Sequence, residues 1–134
     1  MMAYARKPVA ASSDAAGVVL LVDDDRDVRE LHSLLLRLSG YVVFEACDGV
    51  EALSLLRRVR PHVILLDLQM PNMDGRQFLE RLRSRPDRAD VPVCVVSGQP
   101  LDETIRVDAF LRKPFVEPAL LETVERLVKD RRAQ

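Results

Sequence analysis

The sequence predicts an α/β domain in which a parallel sheet of five strands is covered by helices on both faces. From residue 18 onward, short runs rich in valine, isoleucine and leucine alternate with longer stretches whose apolar residues recur every three or four positions. The first of these runs, VVLLV over residues 18–22, is apolar without alternation, as expected for a strand buried on both sides. This pattern repeats five times, which favours βα units joined by right-handed crossovers.

The first unit combines a strand over residues 18–22 with a helix that starts at Asp25 and ends before Gly40. We expect apolar residues at helical spacing to face the core, with charged residues such as Arg29 outside. The inward set is Val28, Leu31, Leu35 and Leu38.

The second unit has a strand over residues 41–45 and a helix capped by Asp48. Glu51, three residues later, is the expected capping-box partner, and Pro61 stops the segment. Its apolar stripe is Leu53, Leu56 and Val59.

The third unit has the most apolar strand, over residues 62–66, which ends in Asp67. The loop over residues 68–75 is rich in turn formers, and we interpret Asp74 with Gly75 as a turn and helix cap. The helix that follows buries Phe78, Leu79 and Leu82.

The remaining strands are predicted over residues 91–96 and 109–112. Pro118 lies where the first turn of a final helix accepts proline. The inward residues of that helix are Leu121, Val124 and Val128.

The composition is typical of one globular domain, with 134 residues, 48% hydrophobic and 31% charged. We assign residues 1–17 to a flexible tail, 18–131 to the domain and 132–134 to a frayed end.

A net charge of -1 argues against nucleic acid as a partner. No apolar run approaches the roughly 20 residues of a membrane span, and no secretory signal precedes the domain, so we expect a cytoplasmic protein. Cys47 and Cys94 lack metal or redox spacing and are expected to be free thiols.

Five polar residues stand where strand-like runs stop, and parallel strands bring such positions to one edge of a sheet. They are Asp23, Asp24, Asp67, Ser97 and Lys113. Carboxylates about 4 Å apart repel by roughly 4 kcal/mol at an effective dielectric of about 20, so a fold would gather them only around a cation. Three carboxylates, a hydroxyl and an ammonium fit a cation-assisted phosphoryl site.

Four motifs occur in the order found in response-regulator receiver domains, and the chain resembles that family over about residues 18–131. The motifs are LVDDD (residues 21–25), LLDLQMPNMDG (65–75), VSG (96–98) and RKPF (112–115). The resemblance implies a flavodoxin-like sheet in the order 2-1-3-4-5. It further implies a chemotaxis-type receiver of two-component signalling, expected here to stand alone.

The resemblance also implies roles for individual residues. Asp67 matches the phosphoacceptor, and Asp23 and Asp24 match the acidic pair that holds Mg²⁺ together with Asp67 and the backbone carbonyl of Gln69. Lys113 matches the lysine of the family motif, and Pro114 after it suggests the cis peptide bond that the family has at this position.

Ser97 and Phe110 match the switch pair of the family, a hydroxyl that contacts the phosphoryl group and an aromatic ring that rotates. Such a switch is a packing change biased by new charge. One departure is the interval of fifteen residues between Ser97 and Lys113, which leaves room only for a short or irregular fourth helix.

The implied donor is a sensor histidine kinase or a histidine phosphotransfer protein, and the output is a phosphorylation-dependent contact with an unidentified protein or a homodimer. The chain is thus expected to be a phosphoacceptor that assists its own phosphorylation and dephosphorylation, rather than an enzyme acting on other substrates.

A receiver-like module that binds partners without phosphate is the main alternative. A haloacid-dehalogenase-type phosphatase would need an aspartate where Gln69 stands, and a flavodoxin-like FMN carrier would need a phosphate loop where residues 23–25 are acidic.

Other charged residues have less specific interpretations. His32 and His62 have no nucleophile or metal partner at useful spacing, so we assign them structural roles. The arginines between residues 81 and 88 could meet an acidic partner, but a solvated helix face is the simpler interpretation.

Overall fold

The computed structural model describes residues 16–68, 73–101 and 104–132, and it contains a single parallel sheet with strand order β2-β1-β3-β4-β5. The strands are β1 (Gly17–Val22), β2 (Tyr41–Ala46), β3 (Val63–Asp67), β4 (Val93–Ser97) and β5 (Ala109–Arg112). The predicted fold class and strand order are therefore confirmed.

Helices cover both faces of this sheet. Within the described residues they are α1 (Arg26–Leu38), α2 (Gly49–Leu55), α3 (Gly75–Arg83) and α4 (Glu117–Arg132). Alternate strand residues point to opposite faces, so Leu20 and Ile64 pack under α2 and α3 while Val19 and Val63 pack under α1 and α4. The three central strands β1, β3 and β4 are thus apolar almost throughout because both of their sides are buried.

The helix starts follow the predicted chemistry. Asp48 caps α2 by accepting a hydrogen bond from the Glu51 amide, but the side chain of Glu51, the predicted capping-box partner, accepts from the amide of Cys47 at 2.8 Å instead of that of Asp48. Asp74 caps α3 as predicted and forms a full capping box with Gln77. Gly40 has a φ of 96°, which is the left-handed backbone that ends α1.

The apolar stripe of α1 differs from the prediction. Leu31 and Leu38 are 49% and 76% exposed, whereas Leu36 and Ser33 are buried. Ser33 tolerates burial because its hydroxyl donates to Glu45 on the neighbouring strand β2. The helix is therefore rotated relative to the expected orientation, and leucines lie on its outer face.

The connection from β4 to β5 is irregular. Its described residues, 98–101 and 104–108, form bends and turns without a helix. This agrees with the expectation of a short or irregular fourth helix and follows from the short interval after Ser97. The helix that the family places fifth is accordingly α4 here.

The arginines near α3 are not a uniformly solvated face. Arg88 is only 4% exposed and donates through Nε to the carbonyl of Leu56 at 3.0 Å, with a second contact from Nη2 to the same oxygen. Arg83 donates to the carbonyls of Ala89 and Val91 at 2.7 and 2.8 Å. The interpretation as solvated charges was wrong for these two residues, because backbone carbonyls of the loop before β4 and the end of α2 need their donors.

Strand β1 and helix α4 lie next to the two ends of the described residues. Strand β1 begins at Gly17 and α4 continues through Arg132, while residues 1–15 of the predicted tail lie outside the described part. No helix in the described ranges combines the length and apolar character needed to cross a lipid bilayer.

Candidate functional site

The register of the sheet brings the predicted residues together at its carboxyl edge. Val22 pairs with Leu66, so the next residues along the two strands, Asp23 and Asp67, are neighbours. In the same way, the pairing of Ser97 with Arg112 places Lys113 one step beyond β4. The edge therefore collects side chains from four strands, as the pattern of strand ends predicted.

Three carboxylates form the centre of the site. One carboxylate oxygen from each of Asp23, Asp24 and Asp67 can be chosen so that all three lie within 4.8 Å of one another. Asp23 and Asp67 are 3% and 7% exposed, whereas Asp24 is open to solvent. The cluster thus combines two buried carboxylates, Asp23 and Asp67, with one exposed carboxylate, Asp24.

Electrostatics makes this cluster costly. Burial raises the pKa of Asp23, and the charge of Asp24 adds to that rise. The amide of Asp25, which donates to Asp23 Oδ1 at 2.9 Å, and the ammonium of Lys113 both oppose it. The net direction remains upward, so the protein groups only partly compensate the buried charge.

Lys113 supplies the nearest cation. Its Nζ atom lies 3.8 Å from Oδ2 of Asp67, and its backbone amide donates to the carbonyl of Ser97 at 2.8 Å. The predicted cis peptide between Lys113 and Pro114 is present. Both ends of Lys113 are therefore held beside the acidic cluster.

The switch pair lies on the neighbouring strands. Ser97 is 2% exposed, and its Oγ accepts a hydrogen bond from the amide of Gln99 at 3.1 Å. Phe110 is half-buried and packs against the core beneath α2 and α3. Gln69, whose carbonyl was predicted to complete the cation site, lies outside the described residues.

A supporting network was missed by the sequence interpretation. Arg29 of α1 donates through Nη1 to the backbone carbonyl of Asp23 at 2.8 Å and through Nε to Glu45 at 3.3 Å. Glu45 also contacts Arg37 and accepts from Ser33. The available signal was a charged residue, Glu45, in an otherwise apolar edge strand next to β1.

Glycine is required where α3 meets the site. A Cβ atom on Gly75 would lie 2.6 Å from the Cα of Leu68 and 3.1 Å from the carbonyl oxygen of Asp67. The Gly75 amide donates to the carbonyl of Leu68 at 2.8 Å. This close approach fixes the backbone directly after Asp67, which explains the glycine of the third motif.

The two histidines have structural contacts. Nδ1 of His62 accepts a hydrogen bond from the amide of Val18 at 3.0 Å. The ring of His32 packs on that of Phe115 with centroids 5.6 Å apart, and both burial and Lys113 lower the pKa of His32. His32 therefore lies behind the site, on the side of the loop that carries Lys113.

Fold and site together define a receiver domain. The chain matches the response regulator receiver domain family over residues 19–125, and it belongs to that family. Among similar structures are the chemotaxis protein CheY4 of Vibrio cholerae, with a TM-score of 0.77 and 32% identity over 82% of this chain and 97% of that one. A CheY-like receiver domain protein of Methanospirillum hungatei JF-1 has a TM-score of 0.80 and 25% identity over 89% and 99% of the two chains.

Curated relatives are longer proteins. The transcriptional regulatory protein PrrA of Mycobacterium leprae is 41% identical over 121 residues, which are 86% of this chain and 51% of that protein. The response regulator MprA of the same organism is 38% identical over 117 residues, or 83% and 50% of the two proteins. The present chain thus spans about half the length of these relatives.

Proposed function

We propose that this receiver accepts a phosphoryl group on Asp67 from a phosphohistidine of a sensor kinase or phosphotransfer protein, and that Mg²⁺ is required. The observation that carries the proposal is the convergence of three carboxylates within 4.8 Å, with the ammonium of Lys113 at 3.8 Å from Asp67. The raised pKa of the buried Asp23 supports this proposal, since acidic groups with perturbed pKa values cluster at functional sites.

The donor set fits a hard divalent cation. Mg²⁺ binds one or two carboxylates and keeps several waters, and Asp24 leaves the cluster open to solvent on one side. Asp23, Asp24 and Asp67 would hold the ion, with the Gln69 carbonyl as the further ligand implied by the family motif. When bound, the ion supplies positive charge that neutralises the phosphoryl oxygens during transfer.

The residues of the chain align and stabilise the transfer. A carboxylate oxygen of Asp67 forms a bond to phosphorus while the bond from phosphorus to the donor imidazole nitrogen breaks. The nitrogen keeps the electron pair and takes a proton from solvent, and the product is an aspartyl phosphate. Lys113 neutralises charge from one side of Asp67, because its Nζ is already held there.

Ser97 and Phe110 are the proposed link to output. The Ser97 hydroxyl, one residue beyond Val96 at the end of β4, donates to a phosphoryl oxygen and draws the following loop toward the site. Phe110 lies on the neighbouring strand and is half-buried, so a turn inward would bury the part of its ring that is now exposed. Downstream contact with a second protein or with another copy of the receiver follows from this rearrangement.

The outer face of α1 is the proposed contact for the phosphoryl donor. Leu31, Leu34 and Leu38 are 49%, 54% and 76% exposed and occupy one side of this helix. The helix starts directly after the acidic pair, so a donor helix packed here would bring its histidine to Asp67. Because the histidine of such donors is phosphorylated by cytoplasmic ATP, we place the phosphorylation reaction in the cytoplasm.

A phosphate-independent interaction module is the second candidate. It is favoured by the irregular connection between β4 and β5, where the described residues form no helix that could relay a switch. Equal affinity for a partner with and without beryllofluoride would support this candidate. A change in affinity would support the phosphorylation-dependent receiver.

Intact-mass spectrometry tests the proposed chemistry. Incubation with acetyl phosphate and Mg²⁺ is expected to add one phosphoryl mass to the wild type and none to Asp67→Asn. No sustained hydrolysis of a simple phosphate ester is expected, since the proposed reaction is a transfer to the protein itself. A wild-type mass that does not change would contradict the proposal.

A further inference from the structure

A groove lies between α2 and α3, and its lining includes none of Asp23, Asp24 and Asp67. Its volume is about 530 Å³. Apolar side chains form part of its surface, and one of them, Val50, is 54% exposed. The lining residues are Val50, Leu53, Ser54, Arg57, Met73, Arg81, Ser84 and Arg85, and we call this surface the α2–α3 groove.

Of the described residues in the α2–α3 groove, those that carry a charge are cationic. Arg57 follows α2, Arg81 belongs to α3, and Arg85 lies just beyond α3. Among the residues that the structure describes, no carboxylate lies within 4.0 Å of these three guanidinium groups. Among the described residues that line the groove, none is acidic.

The fold uses the neighbouring arginines differently. Arg83 and Arg88 are bound to backbone carbonyls and to Asp108 and Asp87 respectively, so they stabilise the loop before β4. Arg57, Arg81 and Arg85, by contrast, line one groove, and no carboxylate among the described residues forms an ion pair with them. Their charges are therefore available to an external anion.

The groove favours a carboxylate-bearing peptide over nucleic acid. Guanidinium groups bind carboxylates through two parallel hydrogen bonds, and an apolar floor offers sites for leucine-like side chains. Stacking of bases needs aromatic side chains, and the described lining residues include none. The chain also has a net charge of -1, without the excess of cations that nucleic-acid binding uses.

We propose that the α2–α3 groove is a docking surface for an acidic, leucine-bearing segment of another protein. The segment lies between the two helices, with its carboxylates on Arg57, Arg81 and Arg85 and its apolar residues on Val50 and Leu53. This contact is separate from phosphoryl transfer at Asp67 and does not depend on it. The receiver thereby has a second surface for a partner, on the face opposite α1 and α4.

The test uses two synthetic peptides that carry fluorescein. One contains glutamate and leucine at helical spacing, and the other has glutamine in place of every glutamate. The glutamate peptide is expected to bind the wild type at least about tenfold more tightly than the glutamine peptide, since charged pairs at an interface contribute that much or more. Amide chemical shifts are expected to change at Val50, Leu53 and Met73.

Matched variants separate the groove from general charge. The triple variant Arg57→Gln, Arg81→Gln, Arg85→Gln is expected to lose at least about tenfold in affinity. A control variant removes the same charge from exposed arginines outside the groove. Its changes are Arg58→Gln, Arg60→Gln and Arg126→Gln, and it is expected to bind like the wild type. Circular dichroism confirms that both variants fold.

Several outcomes would overturn the docking proposal. They are no binding of the glutamate peptide, equal binding of both peptides, equal loss in both variants, or shift changes confined to other surfaces. Displacement of the peptide by an equally charged oligonucleotide at lower concentration would assign the groove to nucleic acid, and concentration-dependent dimers broken by the groove variant would assign it to a second copy. Asp67→Asn is expected to bind the peptide normally, so the two proposals fail independently.

Discussion

Nζ of Lys113 lies 3.8 Å from Oδ2 of Asp67, close enough for strong attraction but beyond the usual length of a hydrogen bond. The ammonium and a bound cation would therefore share the negative charge of the same carboxylate. Lys113→Gln is expected to bind Mg²⁺ several-fold more tightly, because a competing positive charge is gone. Phosphoryl uptake from acetyl phosphate is expected to slow by about a hundredfold.

Calorimetric titration with Mg²⁺ and the time course of intact mass give these two quantities. Parallel loss of both in a folded Lys113→Gln protein would contradict the assigned role, since it would point to a damaged site.

Asp23 is expected to destabilise the metal-free protein. Its buried carboxylate has a raised pKa, so the folded state disfavours the ionised form, and stability is lost as the pH rises from the unfolded-state pKa through that raised pKa. Asp23→Asn keeps an oxygen for the Asp25 amide and is expected to raise the free energy of unfolding at neutral pH by about 1 kcal/mol. The stabilisation by added Mg²⁺ is expected to disappear.

Urea unfolding with and without Mg²⁺ measures both effects. The control is Asp25→Asn, because asparagine caps α1 as well as aspartate does. A metal-free Asp23→Asn protein less stable than the wild type would show that the carboxylate is not under electrostatic strain.

His32 gives the stability a dependence on mildly acidic pH. Burial and the nearby Lys113 ammonium lower its pKa, so the unfolded chain takes up the proton first as the pH falls below about 6.5. This contribution therefore destabilises the fold as the pH drops from about 7.5 to about 5.5. His32→Gln is expected to show a smaller loss over the same range.

Urea titrations of the two proteins at both pH values provide the comparison. Identical pH slopes for wild type and His32→Gln would argue against this assignment of the titrating group.

Arg88 is expected to be a stability residue. It is 4% exposed, and its guanidinium supplies donors to the carbonyl of Leu56 after α2. Arg88→Leu leaves that carbonyl without these donors and is expected to cost about 2–4 kcal/mol of unfolding free energy. Arg58→Leu, at an exposed position nearby, is expected to change it by less than about 0.5 kcal/mol.

Thermal and urea unfolding of both variants decide the matter. Equal stability of the two leucine variants would show that the contacts of the Arg88 guanidinium do not stabilise the fold.

Much of the site could be predicted because each residue follows a strand. Asp67 and Lys113 need only the end of an apolar run and the rule that parallel strands share an edge. Strand β5 is observed at the predicted bounds, since Ala109 and Arg112 enclose a short apolar run. Local pattern and tertiary position agree at these points.

The orientation of α1 could not be predicted in the same way. Five leucines crowd residues 31–38, so a three- and four-residue spacing can be drawn through more than one set of them. The buried side is decided by Ser33 and Arg29, whose polar groups are satisfied by Glu45 from another element. A pattern based on hydrophobicity alone does not register such a long-range partner.

Arg88 illustrates the same limit. Its charge favoured a solvent-exposed side chain, but its guanidinium donates to a carbonyl 32 residues earlier in the chain. Burial of a charged side chain depends on that partner, which only the folded chain brings into reach.

Chemical mapping of the phosphorylated residue tests the central assignment most directly. Borohydride reduces an aspartyl phosphate to homoserine, so treatment after incubation with acetyl phosphate marks the acceptor in a peptide map. We predict homoserine at position 67 when Mg²⁺ is present and aspartate there when Mg²⁺ is chelated. Homoserine at another aspartate, or at none, in folded wild-type protein would contradict the account.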